Sequence, residues 1–145
     1  MNFVWKKFDE LTNYELYEVL KLRSMIFVVE QNCSYLDLDG YDINSLHLLG
    51  FKDIILISYL RLLPPGLKYN ESSIGRVTTK IDFRGQGLGK QLMIEAINKS
   101  KSLYPDKLIK ISAQYHLEKF YTSMGFKTNS ATYYEDDIAH IEMIL

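Results

Sequence analysis

The chain has 145 residues, enough for one domain with a sizeable core, and its 47% hydrophobic and 24% charged residues exclude a disordered polypeptide. Seventeen basic residues against eighteen acidic ones leave a net charge of −1, which gives no electrostatic case for nucleic acid as a partner. No apolar run nears the ~18 residues of a membrane span, and the N-terminus lacks a signal-peptide core, so the expected location is the cytoplasm.

In chain order, Asn2 to Phe8 reads as a first strand. Thr12-Asn13-Tyr14-Glu15 is a capping box, with Thr12 as N-cap and Glu15 reaching back. The helix it opens runs through Leu16, Val19, Leu20, Arg23 and Phe27 towards Glu30. A turn-rich segment, 31–46, follows, with Asp37, Asp39 and Asp42 around Gly40. Its DxDGxD spacing does not make a calcium loop: counted from Asp37, Gly40 falls at position four and Leu48 at position twelve, where an EF-hand needs glycine at six and glutamate at twelve. Two readings of the aspartates stay open, a solvated acidic loop and a rim that attracts a cationic substrate. His47 to Phe51 and Ile54 to Leu63 form a hairpin about Lys52-Asp53, and Pro64-Pro65-Gly66 ends it.

Ile74 to Ser102 is the most informative stretch. Ile74, Val77, Thr78 and Thr79 make a strand, and Arg84-Gly85-Gln86-Gly87-Leu88-Gly89 makes a tight turn. Leu88, Leu92, Met93, Ala96 and Ile97 then recur at helical spacing. Pro105 stops that helix. Leu108 to Ala113 is a short alternating strand, and His116 to Met124 is a helix closed by Gly125. Tyr133-Tyr134 and an acidic turn precede a last strand, Ala139 to Leu145. The order predicts an α/β (α+β) fold built on a mixed sheet, antiparallel first and parallel at the centre, with a right-handed βαβ crossover from 74–79 to 108–113.

A glycine-rich turn opening onto a helix N-terminus presents free N–H groups to an anion such as a phosphate or pyrophosphate. It is not a P-loop, because Arg84 and Gln91 stand where that pattern needs Gly and Ser or Thr. It is not a Rossmann turn either, because Lys90 replaces the third glycine. The pattern R-x-x-G-x-G (Arg84, Gly87, Gly89) instead resembles the acyl-CoA pyrophosphate loop of the GNAT superfamily of N-acetyltransferases. Further on, F-Y-x-x-x-G-F (Phe120, Tyr121, Gly125, Phe126) resembles a second signature of that superfamily. FVVEQNCSYLDLDGYD (27–42), IGRV (74–77), AQYHLEKFYTSMGF (113–126) and YYEDDIAHIEM (133–143) are similar to its ElaA-type branch across nearly the whole chain. In the last acidic turn, this chain has Asp137 and Ala139 where the branch tends to have Gly and Pro.

The resemblance implies one GNAT-like domain over 1–145, with a six- or seven-stranded sheet flanked by helices. It implies direct acetyl transfer from acetyl-CoA, as co-substrate, to a primary amine of a small-molecule or peptide acceptor, without a metal. A CoA-binding sensor or interaction module on the same fold is the alternative, and a homodimer stays open. Residues implied to bind the cofactor are Val77, Thr78, Thr79, Arg84, Gly85, Gln86, Gly87, Leu88, Gly89 and Lys90, with the Val77 N–H polarising the thioester. Tyr121 is implied as the acid that protonates the leaving thiolate. The amine arrives charged and needs a base. Glu30, His47, His116, His140 and Glu142 are the candidates, with Glu30 and His47 ahead because they flank the presumed acceptor loop. The single cysteine, Cys33, cannot form an internal disulfide. As an acyl-enzyme nucleophile it has no partner histidine placed near it in the sequence.

Overall fold

The computed structural model describes residues 1–145. Thr12 caps the first helix, α1 (Asn13–Arg23): its hydroxyl accepts from the Glu15 N–H at 3.0 Å while the Glu15 carboxylate accepts from the Thr12 N–H at 2.9 Å. A π-helical turn, Ser24–Glu30, carries α1 onward. The remaining helices are α2 (Leu88–Leu103) and a short α3 (Glu118–Thr122), which a 3-10 turn over Tyr115–Leu117 precedes.

The strands are β1 (Asn2–Lys7), β2 (Leu46–Lys52), β3 (Ile55–Leu63), β4 (Ser72–Thr79), β5 (Ile109–Gln114), β6 (Lys127–Thr128), β7 (Tyr133–Glu135) and β8 (Ile138–Ile144). They form one mixed sheet in the order β1-β2-β3-β4-β5-β8-β6, with β7 also paired to β8. Eight strands therefore replace the six or seven expected. The surplus comes from β6 and β7, at two and three residues too short to show a period. The β2–β3 turn sits one residue later than the sequence suggests, at Asp53-Ile54, with Asp53 at φ +54°.

Strand alternation divides the sheet into two faces. Leu48, Leu60, Leu62, Ile74, Ile109, Ile111, Ala113, Ile141 and Met143 face α2 and bury Leu92, Met93 and Ala96 completely. Each large apolar side chain sealed this way contributes about 1.5–3 kcal/mol. On the opposite face, Val19, Leu22 and Ile26 of the first helical segment pack on Leu49, Leu56 and Tyr59. Beyond that cluster the same face turns polar, with Ser112 opposite Glu142 and Gln114 opposite His140.

Two local features open the centre of the sheet. β4 and β5 pair in parallel only at Ser72–Ile109 and Ser73–Lys110, and then diverge. In β4, Thr78 faces Tyr59 but Gly75 faces Arg61, so β4 carries one extra residue there, a β-bulge. Arg76 in this bulge has φ +55°, a left-handed conformation that costs a non-glycine residue about 1–2 kcal/mol and persists only where its surroundings enforce it.

Candidate active site

A groove of about 830 Å³ occupies the divergence between β4 and β5. Its floor includes β4 from Ser73 to Thr79 and β5 from Ile111 to Gln114; its ends are the glycine turn and the tips of β7 and β8. Past Ser73 the β5-facing edge of β4 has no strand partner, so its backbone donors and acceptors are available to an extended ligand laid alongside. At one end the chain passes through Gly85 (φ +78°) and Gly87 (φ +76°) into α2. Gly87 is the N-cap, and neither a capping side chain nor an acidic residue occupies the first turn. The first N–H groups of α2 and the positive end of its dipole thus remain for an anion from outside.

Arg84 braces this turn. Its Nε donates to the Thr79 carbonyl at 3.0 Å and its Nη2 to Glu30 at 2.9 Å, tying the turn to the end of the first helical segment. Tyr121 lies in the groove wall, 7% exposed, edge-on to Phe120 and Phe126. Burial alone pushes its phenol up to about 12, so it stays protonated throughout the neutral range.

The three aspartates are engaged by arginines and do not stand free as a solvated loop or an attracting rim, although Asp39 lines the groove. Arg23 binds Asp37 at 2.8 Å and Asp42 at 2.7 Å; Arg61 binds Asp39, and Asp42 at 2.9 Å; Arg76 binds Asp37 at 2.7 Å. Arg23 and Arg61 are 1% and 2% exposed, and such buried cations are tolerable only because carboxylates meet them. The hydrogen bonds and charges of these arginines hold Asp39 and Asp42 below the usual carboxylate range, against the opposing effect of burial. The same network holds the bulge, since Arg76 reaches both the Asp37 carboxylate and its carbonyl.

His47 belongs to this cluster and not to the groove, which corrects its expected place among the bases. It is 1% exposed and lies outside the groove lining. Its Nε2–H donates to the Asp42 carbonyl at 2.8 Å, so Nδ1 must accept from the Tyr59 hydroxyl at 2.6 Å. Both nitrogens are used, and burial lowers its pKa, so it stays neutral and sealed.

The other end of the groove is polar. His140 Nδ1–H donates to the Ile138 carbonyl at 2.7 Å, so Nε2 is the ring nitrogen turned towards Glu135, 3.7 Å away. Ser112 Oγ lies 2.5 Å from the Tyr133 hydroxyl and donates to Glu135 at 3.0 Å. The Tyr133 ring stacks on His140. Asp136 and Asp137, between β7 and β8, sit at φ +50° and +63°, where glycine would be unstrained. Cys33 is buried and donates to the Asp136 carbonyl at 3.3 Å; burial and the two neighbouring aspartates push its thiol up, which disfavours a thiolate nucleophile.

Comparison with known proteins shows the family of the chain. Residues 45–145 match the family described as an acetyltransferase (GNAT) domain. The chain belongs to the GNAT acetyltransferase family. Within it, Escherichia coli ElaA is 41% identical over 137 residues, covering 93% of this chain and 90% of ElaA, and its crystal structure superposes with a TM-score of 0.92. An acyl-CoA N-acyltransferase from Pseudomonas aeruginosa is 42% identical with a TM-score of 0.93, over 99% of this chain and 97% of that one. A Thermoplasma acidophilum PaiA N-acetyltransferase, solved with coenzyme A, shares the fold at 16% identity and a TM-score of 0.67, over 98% of both chains.

In this ElaA-like GNAT chain, nine of the ten residues implied for the cofactor line the groove: Val77, Thr78, Thr79, Arg84, Gly85, Gly87, Leu88, Gly89 and Lys90. Gln86 does not; it is exposed outside the lining, so only its backbone shapes the turn. Glu30 lines the groove but is held by Arg84, and Glu142 lies outside it, bonded to Asn129 and paired with Lys110. His116 and His140 do line it. The sequence reading missed Ser112 and Glu135 as site residues. The alternation of Lys110, Ser112 and Gln114 against Ile109, Ile111 and Ala113 was the available signal, because it marks a polar face on a central strand.

Proposed function

We propose that this GNAT protein is an acetyl-CoA-dependent N-acetyltransferase that passes the acetyl group directly to a primary amine. The observation that carries the reading is the continuity of the groove: an unpaired β4 edge runs from Gly75 to Thr79, the N-terminus of α2 closes one end, and a protonated phenol stands in the wall. The amides of residues 87–90 and the side chain of Lys90 suit a pyrophosphate, and the β4 edge suits an amide-bearing pantetheine arm laid as a strand. A free N–H of that edge, taken to be that of Val77, polarises the thioester carbonyl.

His140 takes the role of base. Its Nε2 accepts a proton from the incoming ammonium, and Glu135 stabilises the imidazolium that results. The neutral amine forms the C–N bond as the C–S bond breaks, and Tyr121 donates a hydrogen bond to the sulfur that leaves. The second nitrogen proton goes to the thiolate or to solvent, giving amide, CoA thiol and one released proton. The test is thiol release from acetyl-CoA with and without a pooled panel of primary amines. Release that depends on the amines supports the enzyme; CoA binding with no amine-dependent release would leave a binding module instead.

A further inference from the structure

At the polar end of the groove stand Lys68 and Glu135, neither of which is met by an oppositely charged lysine, arginine, aspartate or glutamate. Arg23, Arg61 and Arg76 are answered by Asp37, Asp39 and Asp42. Lys68 is a further cation there without a carboxylate of its own: its ammonium lies over the rings of Tyr41 at 5.8 Å and Tyr69 at 5.3 Å. Burial lowers its pKa, and of the surrounding charges Glu135 opposes that most strongly, without coming into ion-pair contact. Glu135, in turn, meets only the Ser112 hydroxyl and His140, with no lysine or arginine on it. Both Lys68 and Glu135 line the groove.

A cation and a carboxylate that face one space, too far apart to pair, complement a ligand bearing both charges in reverse. We infer that the acceptor is a free amino acid, its ammonium received at Glu135 and His140 and its carboxylate at Lys68. This rests on the reading that the groove acylates an amine. A polyamine would bring a second ammonium towards Lys68 and be repelled. A simple alkylamine would leave Lys68 unanswered.

The experiment compares acetylation of common amino acids with the amines that lack their carboxylate, such as phenylalanine with phenethylamine, leucine with isoamylamine and lysine with cadaverine. For the best amino acid, kcat/KM should exceed that of its paired amine by about tenfold or more, chiefly through KM, the scale of one hydrogen bond to a charged group. Lys68→Met should bring that ratio close to one, and Lys68→Glu should carry it below one. Lys68 contacts the chain through the rings of Tyr41 and Tyr69 and through no hydrogen bond or ion pair, so both variants should melt close to the wild type. A wild-type ratio at or below one in every pair, or a ratio that Lys68→Met leaves unchanged, would overturn the inference while acyl transfer stood. Failure of all the amines and amino acids alike, with acetyl-CoA bound, would instead bring down the acyl-transfer reading, and this inference with it.

Discussion

Replacing Tyr121 by phenylalanine removes one oxygen and keeps the ring between Phe120 and Phe126. The structure sets how much that oxygen can do. With its pKa pushed up to about 12, the phenol is a weaker acid than an ordinary thiol of about 8.5. Full proton transfer to a free thiolate would therefore be uphill by roughly 3.5 pKa units, about 5 kcal/mol. Tyr121 instead stabilises the sulfur by donating a hydrogen bond to developing negative charge, worth about 1.5–3 kcal/mol. Tyr121→Phe should lower kcat by about 10- to 150-fold, mostly below the roughly 10²–10⁴-fold expected for removing a full general acid. Only burial is seen to act on the hydroxyl, so its loss should leave the melting temperature and CoA affinity close to wild type. Steady-state kinetics, a thermal melt and calorimetric CoA titration together check all three. A Tyr121→Phe enzyme with wild-type kcat would refute the assignment, as would a kcat loss that tracks a large loss of stability.

Gly87→Ala should cost about 1–2 kcal/mol of stability, because φ +76° is left-handed, and should weaken CoA binding. A Cβ at Gly89 meets only Phe120, at 3.6 Å, so Gly89→Ala should weaken CoA binding with stability held; unchanged CoA affinity in both by calorimetry would move the anion site elsewhere. Asp42→Ala takes one of two carboxylates from each of Arg23 and Arg61, which keep Asp37 and Asp39, and should destabilise by about 1.5–3 kcal/mol in denaturant unfolding; a loss under 1 kcal/mol would mean the arginines find other partners. Burial lowers the folded pKa of His47, so below about pH 6.5 the unfolded chain binds the extra proton and stability falls as pH falls through that window. His47→Gln should flatten that slope. A second loss should begin below about pH 4, where the depressed Asp39 and Asp42 face unfolded carboxylates that protonate first.

What the sequence discloses here is whatever a local signal carries. The Thr12 capping box, the apolar stripe of α2 and the glycine turn are each written within a few adjacent residues, and each stands where its spacing puts it. The arginine–aspartate cluster joins residues 14 to 39 positions apart, and no local pattern reports such pairing. A trace of it is present all the same: Arg61 stands among Leu60, Leu62 and Leu63, and a charge inside an apolar strand needs a partner. The same distance effect hid the fate of His47, whose neighbours Asp42 and Tyr59 flank it in space but not in any periodic pattern. The bulge at Arg76 left no mark, because non-glycine residues in the left-handed region are set by tertiary contacts. Glu135 falls within the acidic turn of the sequence pattern because β7 is only three residues long.

Direct acetyl transfer in the groove between β4 and β5 is the step on which the proposed function stands. Acetyl-CoA labelled with carbon-13 in the acetyl group, mixed with wild-type protein and pooled amino acids and amines, tests it in one mass-spectrometric measurement. A labelled N-acetyl product should form in step with free CoA, while the protein, Cys33 included, stays unlabelled. Label retained on Cys33 along the reaction path, or CoA bound with no labelled amide formed, would contradict it.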